Sequence, residues 1–166
     1  MRLVVLVAIV ATIGCDRVTK HLAATTLAGT SRRSFLADTV RLEYGENSGG
    51  FLSLGTNLPA AARISVFVIG TGVALLFAVW VAVRSPVNEW TLLGLSLFVG
   101  GGASNWVDRV TRGGVIDFLN VGLGSLRTGI FNVADMAIML GAGIIVITEL
   151  RGHQSGQSVR RAPKSA

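Results

Sequence analysis

GGGASNWVDRVTRGGVIDFLNVGLGSLRTGIFNVAD, residues 100–135, decides how this chain is read. It leaves one long apolar segment, enters another, and collects Asn105, Asp108, Arg109, Asp117, Asn132 and Asp135 on the way. A short polar turn would suffice to join two apolar helices. Carboxylates, a guanidinium and amides at the edge of a bilayer need another reason, because a charge inside it costs about 2.5–3.5 kcal/mol on insertion scales. The stretch therefore reads as an active site carried between membrane helices.

The composition agrees with a membrane setting. The chain is 51% hydrophobic and only 14% charged, against about 25% charged in an ordinary soluble domain. Its formal charge of +6 raises nucleic acid as a partner. The Lys and Arg residues, however, are scattered between apolar runs and form no basic stripe, so cations flanking membrane segments explain them better. Cys15 is the single cysteine, which excludes an intrachain disulfide and a cysteine-based metal cluster.

Upstream of the central stretch, Trp90 to Val107 is uncharged, and Ile64 to Val83 is another uncharged run between Arg63 and Arg84. Pro86 breaks the connector between them. Downstream, Phe131 to Thr148 is rich in Gly and Ala, which permits close helix packing in lipid. Leu3 to Gly14 is too short to cross alone; it reaches that length if the helix continues to about Leu22, with Asp16 and Lys20 near the far interface. The expected architecture is mainly α: a polytopic membrane protein with helices at about 3–23, 61–83, 90–107 and 131–149 in a single domain, 1–150. Residues 151–166 read as a disordered basic tail.

Residues 30–58 take on strand character. Val40, Leu42 and Tyr44 alternate with Arg41 and Glu43, the period of a half-exposed strand. Gly45 to Gly50 is a turn sequence, and Phe51 to Leu54 reads as a returning strand. The expected product is a small sheet on the membrane surface between helices 1 and 2, its apolar face toward lipid or substrate. Four crossings put both termini on one side and the sheet and central stretch on the other. A plain count of Lys and Arg favours the reverse orientation; several outer cations, however, stand beside carboxylates of the proposed site.

Asp117 and Asp135 are the expected working pair. Two carboxylates close together in a poorly solvated site share a proton. The ionised one takes a proton from water while the neutral one polarises a carbonyl oxygen, with neither metal nor cofactor. Simpler roles exist for each group. Asn132 and Asp135 have the spacing of a helix cap and its third-residue acid, and Asp16 and Lys20 that of an i, i+4 ion pair.

Five ordered segments carry a resemblance: Asp16-Arg-Val-Thr-Lys20, Glu46-Asn47-Ser-Gly49-Gly50-Phe51, Gly101-Gly-Ala-Ser-Asn105-Trp-Val-Asp108-Arg109, Val115-Ile-Asp117-Phe118 and Phe131-Asn132-Val-Ala-Asp135. Together they resemble the motif set of bacterial lipoprotein signal peptidase (signal peptidase II). The resemblance runs from Met1 to about Arg151. It implies a monomeric aspartyl endopeptidase of the bacterial inner membrane, with cytoplasmic termini and a site near the extracytoplasmic face. Such an enzyme cleaves prolipoproteins before their diacylglyceryl-modified cysteine. Asp117 and Asp135 match the catalytic dyad of the family. Asn47, Gly49, Asn105, Arg109 and Asn132 match positions that hold the substrate backbone and order the site. Asp16 matches a structural polar residue, with Lys20 as its partner.

The chain departs from the family pattern at Ser104, where Gly is usual, at Gly50, where a pair of alanines is commoner, and at Thr128-Gly129-Ile130, which replaces a Trp-Pro lead. Three other readings stand beside the peptidase. One is a divergent paralogue without peptidase activity. Another is a transport module using the same acids for protons or cations. The third is a lipoprotein anchored through Cys15, since Thr12-Ile13-Gly14-Cys15 has the outline of a lipobox.

Overall fold

The computed structural model describes residues 2–50 and 54–161. Its elements run α1 (Arg2–Thr26), β1 (Arg33–Phe35), β2 (Val40–Asn47), α2 (Ala60–Arg84), α3 (Glu89–Arg112), β3 (Val115–Leu123), β4 (Leu126–Arg127) and α4 (Val133–Arg161). The molecule is mainly helical, with one small antiparallel sheet. Of the helices, α2 and the first part of α4, Val133–Gly152, are long and apolar enough by composition to cross a membrane.

The helices fall where apolar runs and caps put them. Asn88 starts α3 by accepting the Thr91 amide at 2.8 Å, and Glu89 adds an acid to its first turn. Gly113, at φ 76°, ends that helix in the left-handed conformation that glycine adopts without penalty. Asn132 fixes the start of α4. The tail expected to be disordered from 151 instead continues α4 to Arg161; the first proline able to stop it is Pro163.

Helices α3 and α4 run antiparallel, and α1 packs parallel to α3. Along α3, Gly101 abuts Ala134 and Gly94 abuts Gly141 of α4; a Cβ on Gly101 would lie 2.4 Å from the Ala134 carbonyl oxygen. Small residues let these two backbones touch. Gly100 lies against Thr12 and Ile9 of α1, so the segment before Cys15 belongs to the bundle. Helix α1 also passes unbroken through the proposed lipobox.

Helix α2 is wound as π-helix from Ile64 to Gly70. Trp106 Nε1 on α3 donates to the Val68 carbonyl within that segment, at 2.8 Å. The indole lies over Gly72, whose missing side chain leaves it room.

The sheet has the order β1-β2-β3-β4. It does not belong to the α1–α2 connection alone, as expected, because two of its strands come from the stretch after α3. β2 pairs with β3 in antiparallel register, from Val40↔Val121 to Asn47↔Val115. The returning strand expected at Phe51–Leu54 lies mostly outside the described residues; Leu54 itself sits in a turn. Exposure along β2 does not alternate as expected, residues 40–45 all being half-buried, but the facing of its apolar side chains does. Leu42 and Tyr44 pack with Ile116 and Phe118 on the end of α1 at Ala23 and Leu27, while Arg41 turns away to pair with Asp38.

Candidate active site

The first turn of α4 is tied to Asn132 from both sides. The Asn132 side-chain oxygen accepts the Asp135 amide at 2.9 Å, and Asp135 Oδ2 accepts the Asn132 amide at 3.2 Å. This is the reciprocal capping box that the sequence spacing allowed. Asn132 does more than cap, because its Nδ2 donates to Asp117 Oδ1 at 2.6 Å. One residue therefore anchors both carboxylates, Asp117 through its side-chain amide and Asp135 through its backbone amide.

Asp117 sits on β3, opposite Gly45 of β2 and beside the irregularity that shifts the register between Leu42 and Gly45. Such bulges re-aim side chains. Asn47, at the end of β2, donates from Nδ2 to Asp117 Oδ2 and to the Gly50 carbonyl, each at 2.9 Å, and its Oδ1 accepts the Gly49 amide. Burial pushes the Asp117 carboxyl above its ordinary range. The hydrogen bonds from Asn47 and Asn132 and the charges of Lys20 and Arg109 pull the other way. Burial, the largest of these effects, makes Asp117 harder to ionise than a free carboxyl.

Asp135 is held from a third direction by Asn105 Nδ2, at 2.9 Å. Asn105 in turn accepts from Lys20 Nζ at 2.6 Å. The buried ammonium also meets Asp16 at 2.6 Å and Asp108 at 2.8 Å, so its protons each have a partner. Asp16 accepts the Ala134 amide at 2.9 Å and the Ser104 hydroxyl at 2.6 Å. Arg17 closes the cluster on Asp108 at 2.6 Å. Asp16, Asp108, Lys20 and Arg17 cancel in charge, as buried ions must.

Arg109 reaches over the 47–50 turn. Its Nη2 and Nε donate to the Gly49 carbonyl at 2.7 and 3.2 Å, and its Nη1 to the Asn105 carbonyl at 3.3 Å. The guanidinium lies 5.9 Å from the Phe67 ring centroid. A Cβ on Gly49 would fall 2.4 Å from the Leu54 carbonyl, so only glycine lets the turn close here. Beside it a cavity of about 170 Å³ opens between Ser48, Arg63, Phe67 and Arg109.

The nine residues assigned a role in the site from the sequence lie on one circuit of polar contacts. It passes from Asp16 through Lys20, Asn105, Asp135, Asn132, Asp117, Asn47 and Gly49 to Arg109, which returns to Asn105. Asp108 was noted in the central stretch without a role of its own, and Arg17, Ser104 and the ring of Phe67 were given no place in the site from sequence. Asp108 carried a signal, being one helical turn from Asn105; a phenylalanine in an apolar run carried none. The departures from the family pattern fit their surroundings. Ser104 supplies Asp16 with a donor. A Cβ on Gly50 would lie 2.7 Å from the Phe67 ring. The Thr128 hydroxyl accepts the Val121 amide at 3.0 Å.

The family described as signal peptidase (SPase) II matches residues 8–151. A lipoprotein signal peptidase of Streptococcus pneumoniae is 30% identical over 156 residues, covering 93% of this chain and 97% of that protein. One from Mycobacterium avium is 33% identical, covering 96% and 86%. One from Leifsonia xyli is 33% identical, and there the match spans 62% of the relative's length. Among solved structures, a bacterial membrane enzyme determined by the in meso method at 2.3 Å superposes with a TM-score of 0.80 at 23% identity, covering 98% of this chain and 93% of the other. A second, at 1.9 Å, gives 0.75 at 25% identity, covering 88% and 92%.

Proposed function

The chain belongs to the signal peptidase II family, and from that premise we propose that it removes the signal peptide from diacylglyceryl-modified prolipoproteins by cleaving before the lipidated cysteine, with Asp117 and Asp135 as an aspartyl dyad. The observation that supports the aspartyl reading is the hold of Asn132 on both carboxylates, through its side-chain amide on Asp117 and its backbone amide on Asp135. The ionised carboxylate takes a proton from the attacking water, and the neutral one gives its proton to the scissile carbonyl oxygen. Collapse of the tetrahedral intermediate returns a proton to the leaving amine. Arg109 and the amides of Asn47 and Asn105 order the extended peptide by its backbone. Asp16 and Lys20 hold Asn105 and the start of α4 in place. The reaction needs no metal or cofactor.

The same reading makes residues 1–150 one peptidase domain with four membrane crossings in the bacterial inner membrane. Helices α1 and α3 have 25 and 24 residues, each about 36 Å or more at the α-helical rise, enough to span a hydrocarbon core of about 30 Å. Their charged ends gather where α4 begins. Both termini are then cytoplasmic, and the site and sheet face outward. The protein acts as a monomer, with the acyl chains of the substrate left in the bilayer.

The test is cleavage of a diacylglyceryl prolipoprotein by purified protein in detergent, with chelator present. Wild type should cut before the modified cysteine. Asp117→Asn and Asp135→Asn should each lose activity by about 10²–10⁴-fold or more while keeping the wild-type elution profile. Folded wild type that leaves this substrate whole would sink the proposal and favour a divergent paralogue. A carboxylate variant that keeps full activity would sink the dyad.

A further inference from the structure

The end of the sheet far from Asp117 has features that the active site does not explain. The β1–β2 and β3–β4 hairpins finish side by side there: the Gly122 amide donates to the Thr39 carbonyl at 2.9 Å, and Arg127 Nη1 donates to the Asp38 carbonyl at 2.7 Å. Phe35 (48%), Leu36 (76%), Leu123 (74%) and Leu126 (82%) all point out of the protein at this end. Exposed apolar residues scattered singly need no explanation, but a contiguous set does.

The first of these turns is also strained. Leu36, Ala37 and Asp38 have φ of 52°, 50° and 64° in succession, a region that residues with side chains rarely occupy. Asp38 holds the turn in that shape through Ser34, Arg41 and Arg127. The strain thus fixes a conformation that presents Leu36 to the outside, and strain of this kind collects at working parts of proteins. Beside it, Arg32 and Arg33 are both exposed.

We propose that these paired hairpin tips are a lipid-inserting anchor. Phe35, Leu36, Leu123 and Leu126 enter the boundary between headgroups and acyl chains, and Arg32 and Arg33 lie among the headgroups of anionic phospholipid. Apolar side chains rimmed by arginines are the composition that binds this layer. From Asp117 to Leu123 is about 20 Å along β3, so the anchor contacts lipid well away from the cleavage site. It sets the height of the sheet over the membrane. The inference rests on the membrane placement proposed above.

The experiment uses the full chain with Cys15→Ser, one nitroxide label per protein, in nanodiscs of phosphatidylcholine and phosphatidylglycerol. Labels go on Leu36→Cys and Leu126→Cys, with Leu76→Cys on the exposed flank of α2 and Asn57→Cys on an exposed polar turn as references. Collision with oxygen reports lipid and collision with a neutral nickel chelate reports water. The oxygen-to-nickel ratio at positions 36 and 126 should exceed that at 57 several-fold. Omitting phosphatidylglycerol should lower it at least twofold. A ratio equal to that at 57 overturns the anchor, as does shielding from both reagents, which would mean that protein covers the tips. A water signature at 76 would instead overturn the placement of α2, separating that failure from failure of the tips.

Discussion

At the scale of single residues, Asn132 carries the heaviest load, because helix start and carboxylate geometry both depend on its amide. Asn132→Ala should cost about 1 kcal/mol or more in unfolding free energy from the lost cap, and on the order of 10²-fold in kcat from misplaced carboxylates. Thermal unfolding and turnover in the same detergent would check both. Lys20→Met should cost about 3–5 kcal/mol by leaving Asp16 as an unneutralised buried charge, since Asp108 keeps Arg17, read as a lower Tm. The raised carboxyl of Asp117 sets the sign of two pH effects. It is harder to ionise in the fold than a free carboxyl, so its contribution to stability is full below the ordinary carboxylate pKa of about 3.9 and is lost as pH rises through the folded value. Asp117→Asn should abolish that slope. Activity should likewise extend above the ordinary carboxylate range and fall on the alkaline side, where the shared proton leaves; a pH–rate profile tests this. Asp117 and Asp135 were legible in the sequence because acids between apolar runs are conspicuous. The second roles of those positions were not. Asn132 and Asp135 form the cap while Asn132 also donates to Asp117, and spacing alone could not show that one residue does both.

At the scale of elements, α3 and α4 touch through glycine. A Cβ on Gly94 would lie 2.8 Å from the Gly141 carbonyl oxygen, and one on Gly141 would lie 2.5 Å from that of Gly94. Gly94→Ala or Gly141→Ala should therefore lower stability by about 1–3 kcal/mol, as overpacking does. Either change is distant from the carboxylates, so residual activity per folded molecule should hold. A denaturation series beside an active-site titration separates the two. The starts of the four helices were legible within a few residues because their apolar runs are long and begin sharply, whereas α3 and α4 run past their expected ends at 107 and 149 to Arg112 and Arg161. Strand β3 was not. Val115 to Phe118 are all buried, on both faces, so the alternation that betrays a half-exposed strand never appears. That concealment is why the sheet was assigned to the α1–α2 connection alone, although Asp117, at its centre, was already singled out.

At the scale of the whole molecule, the carboxylates rest on separate bodies: Asp117 on the sheet, Asp135 on the bundle. Asn132 bridges them, its side-chain amide on Asp117 and its backbone amide on Asp135, while Asn47 holds Asp117 from the sheet and Asn105 holds Asp135 from the bundle. Orientation is the property that the sequence expressed least clearly, because the cations of the site oppose the usual charge rule. With Cys15→Ser, Asn57→Cys should react with an impermeant thiol reagent from outside intact cells, and Ser85→Cys only after lysis; the reverse pattern would invert the proposed topology. The π-wound segment of α2 bears on the molecule as a whole too. A stretch of this winding is what an α-helix becomes when it absorbs one residue more than its length requires. Deleting one residue between Ile64 and Gly70 should relax it to ordinary winding and turn everything before it by about 100°. Arg63 would then swing off Ser48 and Thr56, and Phe67 out from under Gly50.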